Sequence, residues 1–173
     1  MIPINAGEGK RPTPGEVARR LARFRQGLKR AGIRMTPQRL AIYHEVARSS
    51  EHPDAETVHG RLRRRMPGVS LDTVYRNLWL LLDLGFIATL GGHREKARFD
   101  ANTGSHHHFL CKKCGAAFDV DVPGLAGRGV PGAVRALGRI DRMRVEFLGL
   151  CRQCLPLMDT PKTGHIGRKG RVK

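Results

Sequence analysis

Apolar residues recur three and four positions apart through the first half of the chain. Val17, Leu21, Phe24 and Leu28 come first, between arginines; Leu40, Tyr43, Val46 and Ala47 follow, then Val58, Leu62 and Met66, then Leu71, Val74, Leu78, Leu81 and Leu82. That period predicts four amphipathic helices. The punctuation between them agrees. Gly32 lies where the first helix should stop, and Thr36-Pro37 opens the second with a capping hydroxyl and a proline suited to the first turn. The third starts near Asp54 and is ended by Pro67-Gly68, while Ser70 caps a fourth that Gly85 can terminate. The pattern then shortens, and Phe86 to Leu90 and Ala97 to Phe99 read as two strands around a Gly91-Gly92 turn. Helices followed by a hairpin give a winged helix-turn-helix, whose last helix is the one that enters a DNA major groove. Asp72, Thr73, Tyr75, Arg76 and Asn77 occupy the polar side of that helix and can meet phosphates or base edges. An ordinary polar helix face carries the same pattern, so periodicity alone does not decide the matter.

Charge adds a partner class. The chain has 173 residues with 32 Lys plus Arg against 15 Asp plus Glu, a net charge of +17, and 40% hydrophobic residues. That is enough apolar material for one domain or two small ones, and it excludes disorder throughout. No run approaches the roughly 20 apolar residues of a membrane span, and the first 25 residues lack the apolar stretch of a secretory signal. A cytoplasmic protein with no membrane partner is therefore expected. The positive excess points to a polyanion such as DNA or RNA. It sits mostly at the ends: residues 1–39 carry a net +8 and residues 161–173 a net +5, whereas residues 40–99 and 100–160 carry +2 each. Basic ends bind any polyanion weakly, so specific recognition has to come from the middle.

The second half carries candidate metal chemistry. Cys111-Lys-Lys-Cys114 and Cys151-Arg-Gln-Cys154 are two CxxC pairs separated by 36 residues. Each pair lets two thiolates from one tight turn reach one ion, and four thiolates suit a closed, structural, tetrahedral zinc site. A folded segment must fill the interval. Two redox CxxC switches are the competing reading, for which the thioredoxin-like βαβ context is missing. Directly before the first pair stands His106-His107-His108. In a strand His106 and His108 share a face and can grip a second ion, with Asp100 at the end of the hairpin and Asp119 in an expected partner strand, Ala116 to Val122. The plainer reading of a histidine run is a polar strand or surface patch.

These features together resemble the ferric uptake regulator superfamily of metal-dependent bacterial repressors, most closely its peroxide-sensing branch. The resemblance runs from about residue 28 to 154. It is carried by Ala31-Gly-Ile-Arg-Met-Thr-Pro-Gln-Arg39, His52-Pro-Asp-Ala-Glu56, Val69-Ser-Leu-Asp-Thr-Val-Tyr-Arg-Asn-Leu78, Arg98-Phe-Asp100, His106-His-His-Phe-Leu-Cys-Lys-Lys-Cys-Gly115 and the second CxxC. It implies an α+β fold, with an N-terminal winged helix-turn-helix DNA-binding domain joined to a small α/β C-terminal dimerisation domain holding structural zinc. The expected divisions are a disordered leader 1–15, the DNA-binding domain 16–99, the metal-binding dimerisation domain 100–157 and a disordered basic tail 158–173. It further implies Zn2+ at Cys111, Cys114, Cys151 and Cys154, and a regulatory Fe2+ or Mn2+ at His52, Asp100, His106, His108 and Asp119.

The resemblance is what brings in His52, which nothing in its local pattern singles out. Aspartate at both 100 and 119 resembles the peroxide sensors, in which His52 and His106 match the ligands that become oxidised. Iron sensors usually carry glutamates at these two positions, and zinc sensors a cysteine at that of Asp100. Tyr75 and Arg76 match recognition-helix contacts and Arg34 a basic position near the minor groove. The additional metal site of many iron sensors is missing: Ser105, His107, Ala126 and Met143 stand at its positions, and of these only His107 can ligate.

The expected function is thus a homodimeric repressor that releases operator DNA when hydrogen peroxide oxidises a ligand histidine. An iron-responsive repressor of iron uptake is the alternative on the same scaffold. An enzyme, such as a zinc-dependent hydrolase or deaminase, is not expected, because no His-x-Glu pairing precedes a CxxC and a closed thiolate shell leaves no open position. A zinc module that binds RNA through its tails would leave the Asp/His set unexplained.

Overall fold

The computed structural model describes residues 11–91, 97–104, 106–120, 130–140 and 143–155. Its elements run α1 (Pro14–Arg30), α2 (Pro37–Ala47), α3 (Ala55–Arg63), α4 (Leu71–Asp83), β1 (Ala88–Leu90), β2 (Arg98–Asp100), β3 (His107–Cys111), β4 (Ala117–Val120), α5 (Gly132–Arg135) and β5 (Glu146–Gly149). This is the α+β arrangement expected from the sequence. Residues 1–10 of the expected leader 1–15, the whole expected tail 158–173, the end of the expected strand at Val122, and Gly92, Ser105 and Ala126 lie outside the described residues.

Each of the helices α1 to α4 starts where a side chain takes up orphan amides. Thr13 and Glu16 form a reciprocal box, with the Thr13 N–H donating to Glu16 Oε2 at 2.7 Å and the Glu16 N–H to Thr13 Oγ1 at 3.2 Å. That box starts α1 at Pro14, inside the segment expected to be leader. Thr36, Asp54 and Ser70 cap α2, α3 and α4 in the same manner. Helix α3 stops at Arg63, earlier than the apolar stripe through Met66 indicated, while Met66 still packs against the core. Gly85, at φ 71°, supplies the left-handed turn after α4.

The helical unit shares one core. Phe24 and Leu28 of α1, Ile42 and Val46 of α2, Val58 and Leu62 of α3, Val74, Leu78 and Leu81 of α4 and Phe99 of β2 are buried in it. Phe24, Tyr43 and Phe86 meet ring to ring at 4.2 to 6.3 Å. Gly27 faces Phe86 so closely that a Cβ would overlap the ring. Glu45 is fully buried and paired with Arg48 and Arg65, which ties α2 to the end of α3.

Strands β1 and β2 pair antiparallel, Ala88 opposite Asp100. A second sheet has the order β4-β3-β5, in which β3 is antiparallel to β4 and parallel to β5. Because parallel strands end at the same edge, the segments that follow β3 and β5 emerge side by side. The period-2 alternation of β3 sends His108 toward Asp119, its register partner on β4.

Gly27→Val tests the tight seat of Phe86. A helix gains about 1 kcal/mol from replacing Gly by Ala, so the bulkier valine is the sharper probe. It should destabilise the chain by about 1–3 kcal/mol in denaturant unfolding; an unchanged midpoint would contradict the packing described.

Candidate metal centres

The first cluster is built by two turns. Cys111 ends β3, and the Gly115 N–H donates to the Cys111 carbonyl at 2.9 Å, with Gly115 at φ 71° closing the knuckle. After β5 a second knuckle closes as the Cys154 N–H donates to the Cys151 carbonyl at 2.9 Å. The two are stitched together: the Lys112 N–H donates to the Gly149 carbonyl at 2.8 Å and the Cys151 N–H to Cys111 Sγ at 3.4 Å. All four sulfurs lie within 4.8 Å of one another. Cys114 and Cys151 are 3.8 Å apart, far beyond the roughly 2.05 Å of a disulfide. Amide donors from Cys114, Cys151 and Lys113 bring the Cys111 thiol down to about 6. Burial and the neighbouring sulfurs push Cys154 up to about 12. Four converging sulfurs suit a cation with tetrahedral preference, which takes all of them as thiolates.

The second cluster draws on four separate parts of the chain. His52 comes from the loop before α3, Asp100 from the end of β2, His106 from just before β3 and His108 from within it, and Asp119 from β4. His52, Asp100 and His108 are buried, His106 is nearly so, and Asp119 keeps about a third of its side-chain exposure. His52 Nε2 lies 2.9 Å from Asp119 Oδ1 and 4.0 Å from Asp100 Oδ1. His106 Nε2 is 2.9 Å from Asp100 Oδ2 and 3.6 Å from Asp119 Oδ1, and His108 Nε2 is 3.6 Å and 3.4 Å from the same two oxygens. Ligand atoms about 2.1 Å from one centre stand about 3–4 Å from each other, the spacing found here.

The orientation of these atoms is the fit test for an ion. Asp100 Oδ2, His106 Nε2, His108 Nε2 and Asp119 Oδ1 are buried and close together, yet none has a hydrogen-bond partner. Buried polar groups ordinarily pair, and atoms that converge without pairing are free to share a common ion. Mixed imidazole and carboxylate donors suit a divalent transition ion. Supporting contacts fix some of the set: the Asn102 N–H donates to Asp100 Oδ1 at 2.7 Å, and His106 Nδ1 meets the Gly104 carbonyl at 3.1 Å. His107 turns away, its Nδ1 accepting from the Val145 N–H at 3.3 Å.

The candidate DNA-facing residues are largely held by neighbours. Tyr75 Oη donates to Glu56 Oε1 at 2.7 Å, and Arg76, exposed, pairs with Asp72 at 2.6 Å along α4. The Asn77 amide donates to the Thr73 carbonyl at 2.8 Å and accepts from Arg39 Nε at 3.1 Å. The Thr73 N–H is taken by the Ser70 cap. Arg34 is exposed, and its carbonyl accepts from Arg39. Sequence reasoning assigned no role to Arg39, Glu56 or Asn102. Arg39 and Glu56 stand within quoted motifs, the one available signal; Asn102, two residues after Asp100, had only the spacing of an Asx turn.

Comparison with known proteins places the chain beside a set of regulators. The ferric uptake regulator family matches residues 30–130. A peroxide-responsive repressor from Staphylococcus epidermidis is 34% identical over 133 residues, covering 73% of this chain and 85% of the relative. A solved ferric uptake regulator from Vibrio cholerae is 27% identical with a TM-score of 0.61, covering 74% of this chain and 99% of the other. The Helicobacter pylori ferric uptake regulator, at 22% identity and a TM-score of 0.69 over 84% of this chain and 97% of the other, shares the fold. Among the described residues no helix is long and apolar enough to cross a membrane.

The second cluster sets a pH dependence. Burial alone would raise Asp100 and Asp119, but the surrounding histidines outweigh it and hold both well below the usual carboxylate range. Burial would lower His108, and the same carboxylates outweigh it and raise it. With no ion bound, the carboxylates stabilise the fold above about pH 4 and lose this as pH falls through their lowered values. The His108 cation stabilises fully below about pH 6.5 and loses this as pH rises through its raised value. An ion must displace that proton, so divalent affinity should climb as pH rises above about 6.5. Calorimetric titration with Mn2+ across this range checks it, and a flat affinity would contradict it.

Proposed function

The chain belongs to the ferric uptake regulator family, and on that premise we propose that it is a homodimeric, metal-dependent repressor that releases operator DNA in response to hydrogen peroxide. The observation that carries this reading is the second cluster, in which His52 of the helical unit closes onto Asp100, His106, His108 and Asp119. A ligand set spanning the two parts of the fold makes the closed arrangement depend on the ion, because an ion that binds only that arrangement draws the population toward it. In a two-fold dimer, closure fixes the separation of the two α4 helices and so their fit to two half-sites.

In this reading residues 16–99 form the DNA-binding domain and residues 100–157 the dimerisation domain. Cys111, Cys114, Cys151 and Cys154 hold a structural Zn2+, and the His/Asp set holds Fe2+ or Mn2+. Arg34, Thr73, Tyr75, Arg76 and Asn77 face the DNA, and the basic leader and tail add phosphate contacts that weaken with salt. Aspartate at both 100 and 119, together with the peroxide-responsive relatives, favours peroxide over iron as the signal.

A ferrous ion, if held by His52, Asp100, His106, His108 and Asp119, would activate peroxide for reaction beside them. The net change at His52 or His106 would be insertion of one peroxide oxygen into an imidazole C–H and release of the other as water, with the imidazole as the two-electron reductant. His106 and Asp119 are the least enclosed members of the set, so peroxide reaches the cluster on their side. An oxidised imidazole is a poor donor. With His52 or His106 disabled, the remaining groups no longer hold the helical unit against the β3–β4 sheet, and the grip on DNA is lost.

The test is a brief hydrogen peroxide treatment of the ferrous-loaded, zinc-retaining chain bound to labelled operator DNA. The expected result is loss of the complex together with one added oxygen on a peptide containing His52 or His106, and resistance of the Mn2+ form. Retained DNA with unmodified histidines would favour the iron-responsive reading, and oxidised cysteines with intact histidines would replace the mechanism by a thiol switch.

A further inference from the structure

We infer that Arg98 is a positioning residue for the second metal site, its guanidinium holding the loop that carries His52 in the backbone shape from which the imidazole reaches the cluster. This rests on the proposed reading of His52 as a ligand. Among the described residues His52 alone, glycines aside, has a positive φ, 50°. Ordinary L residues avoid that region, and one that adopts it persists only when its surroundings over-determine it.

Strand β2 supplies those surroundings. Arg98 Nη1 donates to the Glu51 carbonyl at 3.2 Å and to the His52 carbonyl at 3.2 Å, and the Phe99 N–H donates to the Pro53 carbonyl at 3.0 Å. Three consecutive carbonyls are thus fixed by two consecutive residues. The pleat puts Arg98 and Asp100 on one face of β2 and sends Phe99 into the core, so the strand that presents a ligand carboxylate also grips the loop of a ligand histidine.

The grip acts on backbone geometry. The Glu51 carboxylate is engaged by Arg61 at 2.5 Å, which leaves Arg98 to the loop carbonyls. On its other side the guanidinium stands against the first cysteine knuckle, where a Cβ on Gly115 would lie 3.5 Å from Arg98 Nη2. Arg98 therefore sits between the His52 loop and the thiolate cluster and is backed by the latter. Without it the loop relaxes toward ordinary backbone angles and the His52 imidazole leaves its line to Asp119, while the thiolate knot and the helical core keep their own contacts.

The experiment measures Mn2+ affinity of the full chain with its zinc retained, by electron paramagnetic resonance of the free ion. It compares the parent with Arg98→Ala, Arg98→Lys and His52→Ala. Arg98→Ala should weaken Mn2+ about 10- to 100-fold, as loss of a supporting group around a ligand does. Arg98→Lys should fall between, since an ammonium can reach one carbonyl but not span two. Zinc content and the circular dichroism spectrum should be unchanged.

Parent-like Mn2+ affinity in Arg98→Ala, beside a weakened His52→Ala, would overturn the inference and leave the ligand reading intact. Parent-like affinity in His52→Ala would sink the ligand reading, and the inference with it. Should Arg98→Ala lose its zinc or its fold, Arg98→Lys decides: several-fold weakening supports the role and parent affinity refutes it.

Discussion

Asp100 and Asp119 bring two negative charges into one partly enclosed space on which three imidazoles converge. The way these groups reach it accounts for much of the architecture. His106 and His108 arrive with β3, which must lie beside β4 in the register that sets His108 opposite Asp119. Asp100 arrives at the end of β2, at the exit of the helical unit. His52 arrives from before α3, in a backbone conformation that costs energy unless it is held. Unlike charges in a half-buried site attract more strongly than in water. Asp100 Oδ2, His106 Nε2, His108 Nε2 and Asp119 Oδ1 converge there, buried and without a well-formed hydrogen bond.

The thiolate cluster plays a different part. It joins the ends of β3 and β5, which run parallel and could otherwise separate at that edge, and its knuckle backs Arg98 beside the His52 loop. One cluster closes a sheet and the other, on the proposed reading, closes the sheet against the helical unit. The basic excess belongs to neither. Most of the +17 lies in the two ends of the chain, and the α4 surface is a nearly balanced network in which Arg76 meets Asp72 and Tyr75 meets Glu56. Such a network presets side-chain directions, while on the proposed reading the basic ends add salt-sensitive attraction to DNA.

Much of this was legible in the sequence because the signals were local. Caps at Thr36, Asp54 and Ser70 sit in the positions their chemistry suggests, and the CxxC spacing announces two thiolates per turn. The start of α1 was less legible, since Thr13 and Glu16 cap it through a reciprocal pair hidden in a Pro/Gly-containing segment. The end of α3 was missed because an apolar stripe reports burial, and Met66 is packed in the core from outside the helix. His52 could not be found from its surroundings at all. Its significance depends on a positive φ and on contacts with residues about 50 and 70 positions away, which no local pattern encodes. Arg98 was visible in a quoted motif, but its role appears only once its guanidinium is seen on two loop carbonyls.

On the proposed reading, an ion at the His/Asp cluster clamps the helical unit to the β3–β4 sheet through His52. Small-angle X-ray scattering of the zinc-retaining chain, with and without Mn2+, measures that closure. Adding Mn2+ to the parent chain should reduce its radius of gyration, with no such contraction in His52→Ala. Identical scattering of the parent with and without Mn2+, at concentrations where the ion is bound, would contradict it.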